Sequence, residues 1–301
     1  MLVRFVYLLV ILIWATTPLS IKLGGDSLAP IAALSLRILI AFFVGSALCT
    51  LFGVAGLNIR RHWKLYFAAS ISLFPNMALV YLAAQYIPSG LIALMFGLSP
   101  FFTAALAWPV LGERMLVPRK LFAIALAALG LLCILVDDVV ITGDSYTGIA
   151  LMLLSNLLFS GSAVWVKKLN ATIVVSPVEQ ALGAMAFALP GMLLSWWLWV
   201  GFEPLVFSAV SLASLLYLAL FASLVGFVAY YYILKVMPVE TVSLIPLVSP
   251  VLALAIGSVV VDEPITPAML LGAGMIITAL AVHQGLWRQR SPMNTMMDTR
   301  S

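Results

Sequence analysis

Between its charged residues and its Gly/Pro breaks, the chain is a succession of apolar runs, each close to the roughly 20 residues that a helix needs to cross a bilayer. The runs fall near 5–23, 31–52, 65–84, 90–111, 120–136, 146–166, 178–200, 210–234, 239–260 and 267–286. Ten such spans take about 200 of the 301 residues, so what remains is loops and two tails. Side chains are 64% hydrophobic and 9% charged, against about 25% charged in soluble domains. The expected fold class is therefore an all-α integral membrane protein with ten transmembrane helices. This leaves no room for a nucleotide-binding domain or an ectodomain, and nucleic acid is excluded as a partner. Cys49 and Cys133 each lie alone inside an apolar run and read as packing residues.

Orientation follows from the basic residues. With the N-terminus in the cytoplasm, 13 of the 15 lysines and arginines fall in inner loops and tails, none falls in an outer loop, and Lys22 and Arg37 lie within spans. That asymmetry places both termini in the cytoplasm of an inner, or plasma, membrane. The net charge of +4 then reads as a topology signal, with anionic lipid headgroups as secondary partners. The first run, with Arg4 ahead of it, has the look of a signal peptide, but it has a counterpart later in the chain.

At an offset of 150, Pro238 falls on Pro88, Ser249-Pro250 on Ser99-Pro100, Glu263 on Glu113 and Tyr231 on Tyr81. At an offset of 145, Phe159, Ser162 and Lys167 fall on Trp14, Thr17 and Lys22. Five spans per half is an odd number, so the halves enter the membrane from opposite sides. This is the inverted repeat of secondary transporters: 1–140 as the first five-helix unit, 146–288 as the second, and 289–301 as a cytoplasmic tail.

The segment YLAAQYIPSGLIALMFGLSPFFTAALAWPVLGE and its echo YYYILKVMPVETVSLIPLVSPVLALAIGSVVVDE resemble the paired signature of EamA-type ten-helix members of the drug/metabolite transporter superfamily. Trp14 in span 1 and Leu36-Arg37 in span 2 share in that resemblance. It implies an inner-membrane carrier, usually an exporter of amino acids, their derivatives or other small metabolites, with a central cavity lined by spans 1, 3, 4, 6, 8 and 9. The second unit departs from the first in carrying Asp262-Glu263 in place of Gly112-Glu113, and span 3 carries Asn76 and Gln85.

Candidate substrate contacts follow from position. Ser99-Pro100 and Ser249-Pro250 sit about ten residues into spans 4 and 9, near the midplane. Each proline removes a backbone donor and frees a carbonyl near four residues back, here Phe96 and Ile245. Such a kink either exposes backbone polarity to a cavity or is satisfied by the adjacent serine. Phe96, Ser99 and Thr103 share a face of span 4, and the offset maps the first two onto Pro246 and Ser249. On span 8, Tyr217, Phe221, Leu224, Val228 and Tyr231 form an α-spaced stripe whose counterpart in span 3 is Tyr81; the stripe suits a ligand wall or plain packing. Trp14 and Thr17 with Phe159 and Ser162 form a matched aromatic and hydroxyl set. Asn76 and Asn156 serve either as ligand contacts or as interhelical bonds.

Arg37, about seven residues into span 2, is costly unless paired or snorkelled and reads as a structural or gating anchor. Lys22 and Lys167 are gate or snorkel residues, and Glu113 and Glu263 are end caps. No acid lies at a span centre, and His62 and His283 have no nearby partner motif. No catalytic, cofactor or metal motif is present, so neither enzyme chemistry, cofactor nor metal is expected. The reading is an alternating-access exporter of a net-neutral amphipathic small-molecule substrate, such as an amino acid, a derivative or a metal-free metallophore. Its cavity lining carries no formal charge, and the protein works alone or as a homodimer. The rival is a flippase-like subunit moving a lipid-linked group.

Overall fold

The computed structural model describes residues 2–54, 56–112, 118–135, 144–202, 204–243, 245, 252, 256, 258–259 and 265–284. The described secondary structure is helical, without strands. Five helices are long and apolar enough to cross a membrane: Leu2–Gly24 (α1), Pro30–Leu51 (α2), Ser145–Asn170 (α8), Pro177–Trp199 (α9) and Ala209–Val236. The protein is a multi-pass membrane protein on this ground.

Shorter helices occupy the intervening apolar runs. Ile59–Ser70 (α3) and Asn76–Ala83 (α4) divide the third run, and Ser89–Phe96 (α5) and Ser99–Leu111 (α6) divide the fourth at Gly97-Leu98. Pro118–Leu135 (α7) and Pro267–Gln284 (α13) fill the fifth and the last. The stretch from 209 to 236 is not one regular helix. It runs as Ala209–Tyr217 (α10), a π-helical stretch Leu218–Val225, and Gly226–Val236 (α11), followed by the short Val239–Val242 (α12).

Helix ends are fixed by local chemistry. Pro30 and Pro177 open α2 and α9, where a missing amide costs nothing and φ is already helical. Ser176 accepts from Glu179 N at 3.0 Å and Ser208 from Ser211 N at 3.0 Å, each satisfying an orphan donor of a first turn. The left-handed Gly112, at φ 73°, ends α6.

Packing pairs α7 with α13, α3 with α9, and α2 with both α9 and the π-helical stretch. α1 packs on α10 and α11, while α4, α5 and α6 pack on α8. Two rings of aromatic side chain lie flat across α9: a Cβ added at Gly183 would stand 2.6 Å from Tyr66 Cε1, and one at Gly191 would stand 2.5 Å from Phe74 Cε1. Small residues that let helices approach closely are the usual basis of packing in lipid, where burial away from water gives no drive.

Candidate functional site

A cavity opens among α1, α2, α4, α5, α8 and α11, between helices, where small-molecule sites of helical bundles form. α1 supplies Trp14, Thr17, Pro18 and Ile21, whose spacing of three, four and seven residues puts them on one face. Arg37 comes from α2, Met77 and Val80 from α4, Ala93 and Phe96 from α5, Phe159 from α8 and Phe227 from α11.

Aromatic rings from α1, α5, α8 and α11 form one part of the wall. The Trp14 ring lies 5.9 Å from Phe159, 5.9 Å from Phe227 and 5.1 Å from Tyr230, centroid to centroid. Phe159 and Tyr230 are 5.6 Å apart, so the four rings make one cluster at the separations aromatic pairs prefer. Pro18 lies inside α1 and has no amide to offer the Trp14 carbonyl.

The cavity is not uncharged, contrary to the expectation from sequence. Arg37 lines it, and its side chain is 1% exposed. Its Nε donates to Ser223 Oγ at 2.6 Å and its Nη1 to Tyr81 Oη at 3.4 Å. Neither partner is charged, and among the described residues no carboxylate pairs with it. Sequence spacing placed Arg37 at a gate because the reach of α2 toward α4 and the π-helical stretch is not visible in one dimension.

Of the expected substrate contacts, Trp14, Thr17, Phe96 and Phe159 come together in this cavity. Tyr81 touches it through Arg37. Ser99, Asn76, Ser162 and Tyr231 hold helices together. Ser99 Oγ stands 2.7 Å from both the Phe96 carbonyl and Asn156 Oδ1, so its single proton is shared between the carbonyl that Pro100 leaves without an amide and the asparagine of α8. Asn76 Nδ2 donates to the Ser72 carbonyl at 2.9 Å and its Oδ1 accepts from Ser155 at 2.6 Å. Ser162 donates to the Ala68 carbonyl at 2.7 Å, and Tyr231 to the Ala69 carbonyl at 3.2 Å. α8 thus faces α3 to α6 with a ladder of buried side-chain hydrogen bonds, as amides and hydroxyls in hydrocarbon require. Pro246, Ser249, Pro250, Glu113 and Glu263 lie outside the described residues.

The aromatic stripe of span 8 does not run as an α-spaced line. Phe221 is 51% exposed and stacks on Tyr217 at 5.6 Å, while Phe227, Tyr230 and Tyr231 face inward. The cause is the π-helical stretch, whose i→i+5 turns take up more residues than α turns and rotate all that follows. Phe227 was therefore missed as a wall residue, and Tyr230 as the ring packed behind the wall against Trp14 and Phe159.

Lys167 Nζ donates to the carbonyls of Leu234 at 2.8 Å and Met237 at 2.6 Å, the last carbonyls of α11, where a cation is favoured. Lys22 is exposed in the last turn of α1. His62, expected to lack a partner, has one 117 residues away: its Nδ1 is 2.8 Å from Glu179 Oε1, and the Tyr66 hydroxyl donates to the same carboxylate oxygen. The capped first turn of α9 fixes Glu179 there. No group of three or more His, Cys, Asp or Glu able to hold a metal occurs among the described residues.

A model of the EamA-like transporter family matches residues 2–136 and again residues 146–283. A protein of Escherichia coli strain K12 named "Probable amino-acid metabolite efflux pump" is 28% identical over 298 residues, spanning 94% of this chain and 95% of that one. A Salmonella typhimurium protein of the same name is 27% identical over 286 residues, with 93% of both chains covered. A solved crystal structure at TM-score 0.71 and 19% identity covers 96% of this chain and 99% of that one, a likeness of fold.

Proposed function

The chain belongs to the EamA-like transporter family and is a membrane transporter; on that premise we propose that it exports a small amphipathic metabolite, an amino acid or a derivative of one, across the plasma membrane by alternating access. The carrying observation is the cavity among six helices, with the rings of Trp14, Phe96, Phe159 and Phe227 in its wall. The names of the two bacterial relatives support efflux of amino-acid metabolites. Larger conjugates such as a metal-free metallophore share the same chemistry.

The mechanism we propose needs two equivalent halves, and two features support them. The family model matches twice. The packing is also related by the shift of five spans: α3 on α9 answers α2 on the π-helical stretch, α1 on α10 and α11 answers α4 on α8, and α7 meets α13. Inverted five-helix units of this kind rock about a shared central site.

Proteoliposomes loaded with a labelled neutral amino acid are expected to lose label faster than protein-free vesicles. Trp14→Ala is expected to slow that loss about tenfold, since it removes three ring contacts from the wall. Release inhibited by a nucleotide and not by any zwitterion would overturn the substrate class. Transfer of a lipid-linked group instead would favour the flippase-like rival.

Orientation is tested separately. A reporter fused after Ser301 is expected to report cytoplasm, and one at Asp144 the outside, because the basic residues crowd one side of the membrane. A cytoplasmic signal at Asp144 would remove the arrangement of ten spans.

A further inference from the structure

Arg37 is a full positive charge in an apolar cavity, held by two neutral hydroxyls from two other helices. A guanidinium has five N–H donors in a planar fork. Ser223 takes the one on Nε and Tyr81 takes one of the two on Nη1. Three donors remain, one on Nη1 and both on Nη2, enough to donate to both oxygens of a carboxylate. Burial of an arginine at this depth without a counter-charge is costly, and among the described residues the chain offers no carboxylate to offset it. An anion entering the cavity would recover that cost.

From this we infer that Arg37 is the carboxylate anchor of the cavity, receiving a monocarboxylate whose apolar body lies against Trp14, Phe96, Phe159 and Phe227. The inference rests on the carrier reading above and specifies which end of the solute is recognised. The two hydroxyls act as positioning groups: fixed on separate helices, they hold the fork in one plane before a solute arrives. A single fixed charge in an apolar wall favours one carboxylate and disfavours a polyanion, whose further charges would be desolvated without partners. The solute's amino group is not needed for this recognition, so plain aryl and alkyl carboxylic acids fall within the class along with amino acids.

The test uses a matched pair, 3-phenylpropionate and 3-phenylpropionamide, alike in shape and different in charge. Binding to the purified full-length protein in detergent is measured by titration calorimetry at pH 7. The wild type is expected to bind the acid about 30-fold more tightly than the amide, the value of one or two charge-assisted hydrogen bonds. Arg37→Gln is expected to bring the two within about threefold. Arg37→Lys keeps the charge without the fork and is expected to keep a smaller preference. Ser223→Ala and Tyr81→Phe are expected to reduce the acid-over-amide preference about threefold each.

Equal binding of acid and amide by the wild type overturns the inference, and so does an acid preference that survives Arg37→Gln. Should that variant fail to fold, the wild-type pair still decides. The carrier reading fails on different grounds: vesicles that release no solute remove it, whereas vesicles that release acid and amide at equal rates leave it standing and remove the anchor.

Discussion

Gly183→Val is expected to leave little folded protein, lowering the midpoint of thermal unfolding in detergent by about 10 °C. The ring of Tyr66 lies where the first new carbon would go, 2.6 Å away at Cε1 and at Cγ. It cannot swing aside. Tyr66 is 0% exposed, and its hydroxyl is tied to Glu179, one turn back on the same face of α9, with His62 bonded to that carboxylate oxygen. Overpacking of a rigid site costs about 1–3 kcal/mol and more where neighbours are fixed at both ends. A Cβ at Gly274 in α13 would meet nothing within 4 Å, so Gly274→Val is the control and is expected to shift the midpoint little. In a Tyr66→Ala background the same substitution is expected to cost much less, because the clash is between that pair. If Gly183→Val destabilises equally with and without the Tyr66 ring, the cause lies elsewhere.

Asn156→Leu is expected to insert normally but to reduce transport at least tenfold and stability by about 3 kcal/mol. Leucine matches asparagine in shape, so the loss isolates hydrogen bonding from packing. Asn156 is 0% exposed. Its Nδ2 donates to the Met95 carbonyl at 2.9 Å and the Met152 carbonyl at 3.0 Å, and its Oδ1 accepts from Ser99 at 2.7 Å. Met95 belongs to α5 and Ser99 to α6, so one side chain of α8 spans the break between two helices. Phe96, on the cavity wall, sits at that break. Without Asn156 the two pieces hinge more freely and Phe96 loses its fixed place. Transport kinetics and thermal unfolding of the same preparation check the two effects, and a fully active variant would reduce Asn156 to a dispensable contact.

The all-helical membrane class and the family were legible because apolar run length and repeated Ser-Pro and acidic elements are properties of the string itself. Half of the cavity was legible for the same reason: Trp14 and Thr17 share a helical face, and Phe159 follows from them by the offset of 145. What escaped was set by distances across the bundle. Arg37 stands in the cavity because Ser223, 186 residues on, receives its Nε. His62 and Glu179 meet only because α3 lies on α9. Ser99, Asn76 and Ser162 have the chemistry of ligand contacts, yet each is committed to another helix, and side-chain type alone does not separate those uses. Phe227 and Tyr230 escaped for a local reason, since a 3.6-residue rule was carried through a segment that does not obey it.

That segment also governs how this chain can be aligned with others. An i→i+5 stretch holds surplus residues within a helix that still crosses the same thickness of membrane. A related chain with one residue fewer between Leu218 and Val225 could return to regular α turns there and keep the faces on both flanks where they are. Length differences in this helix therefore belong inside the stretch, and a gapless alignment drawn across it would match Tyr230 of this chain to the wrong neighbour. The same holds within the chain: the pairing of Tyr231 with Tyr81 was made at one fixed offset, whereas the bundle puts Tyr230 beside Trp14 and Phe159.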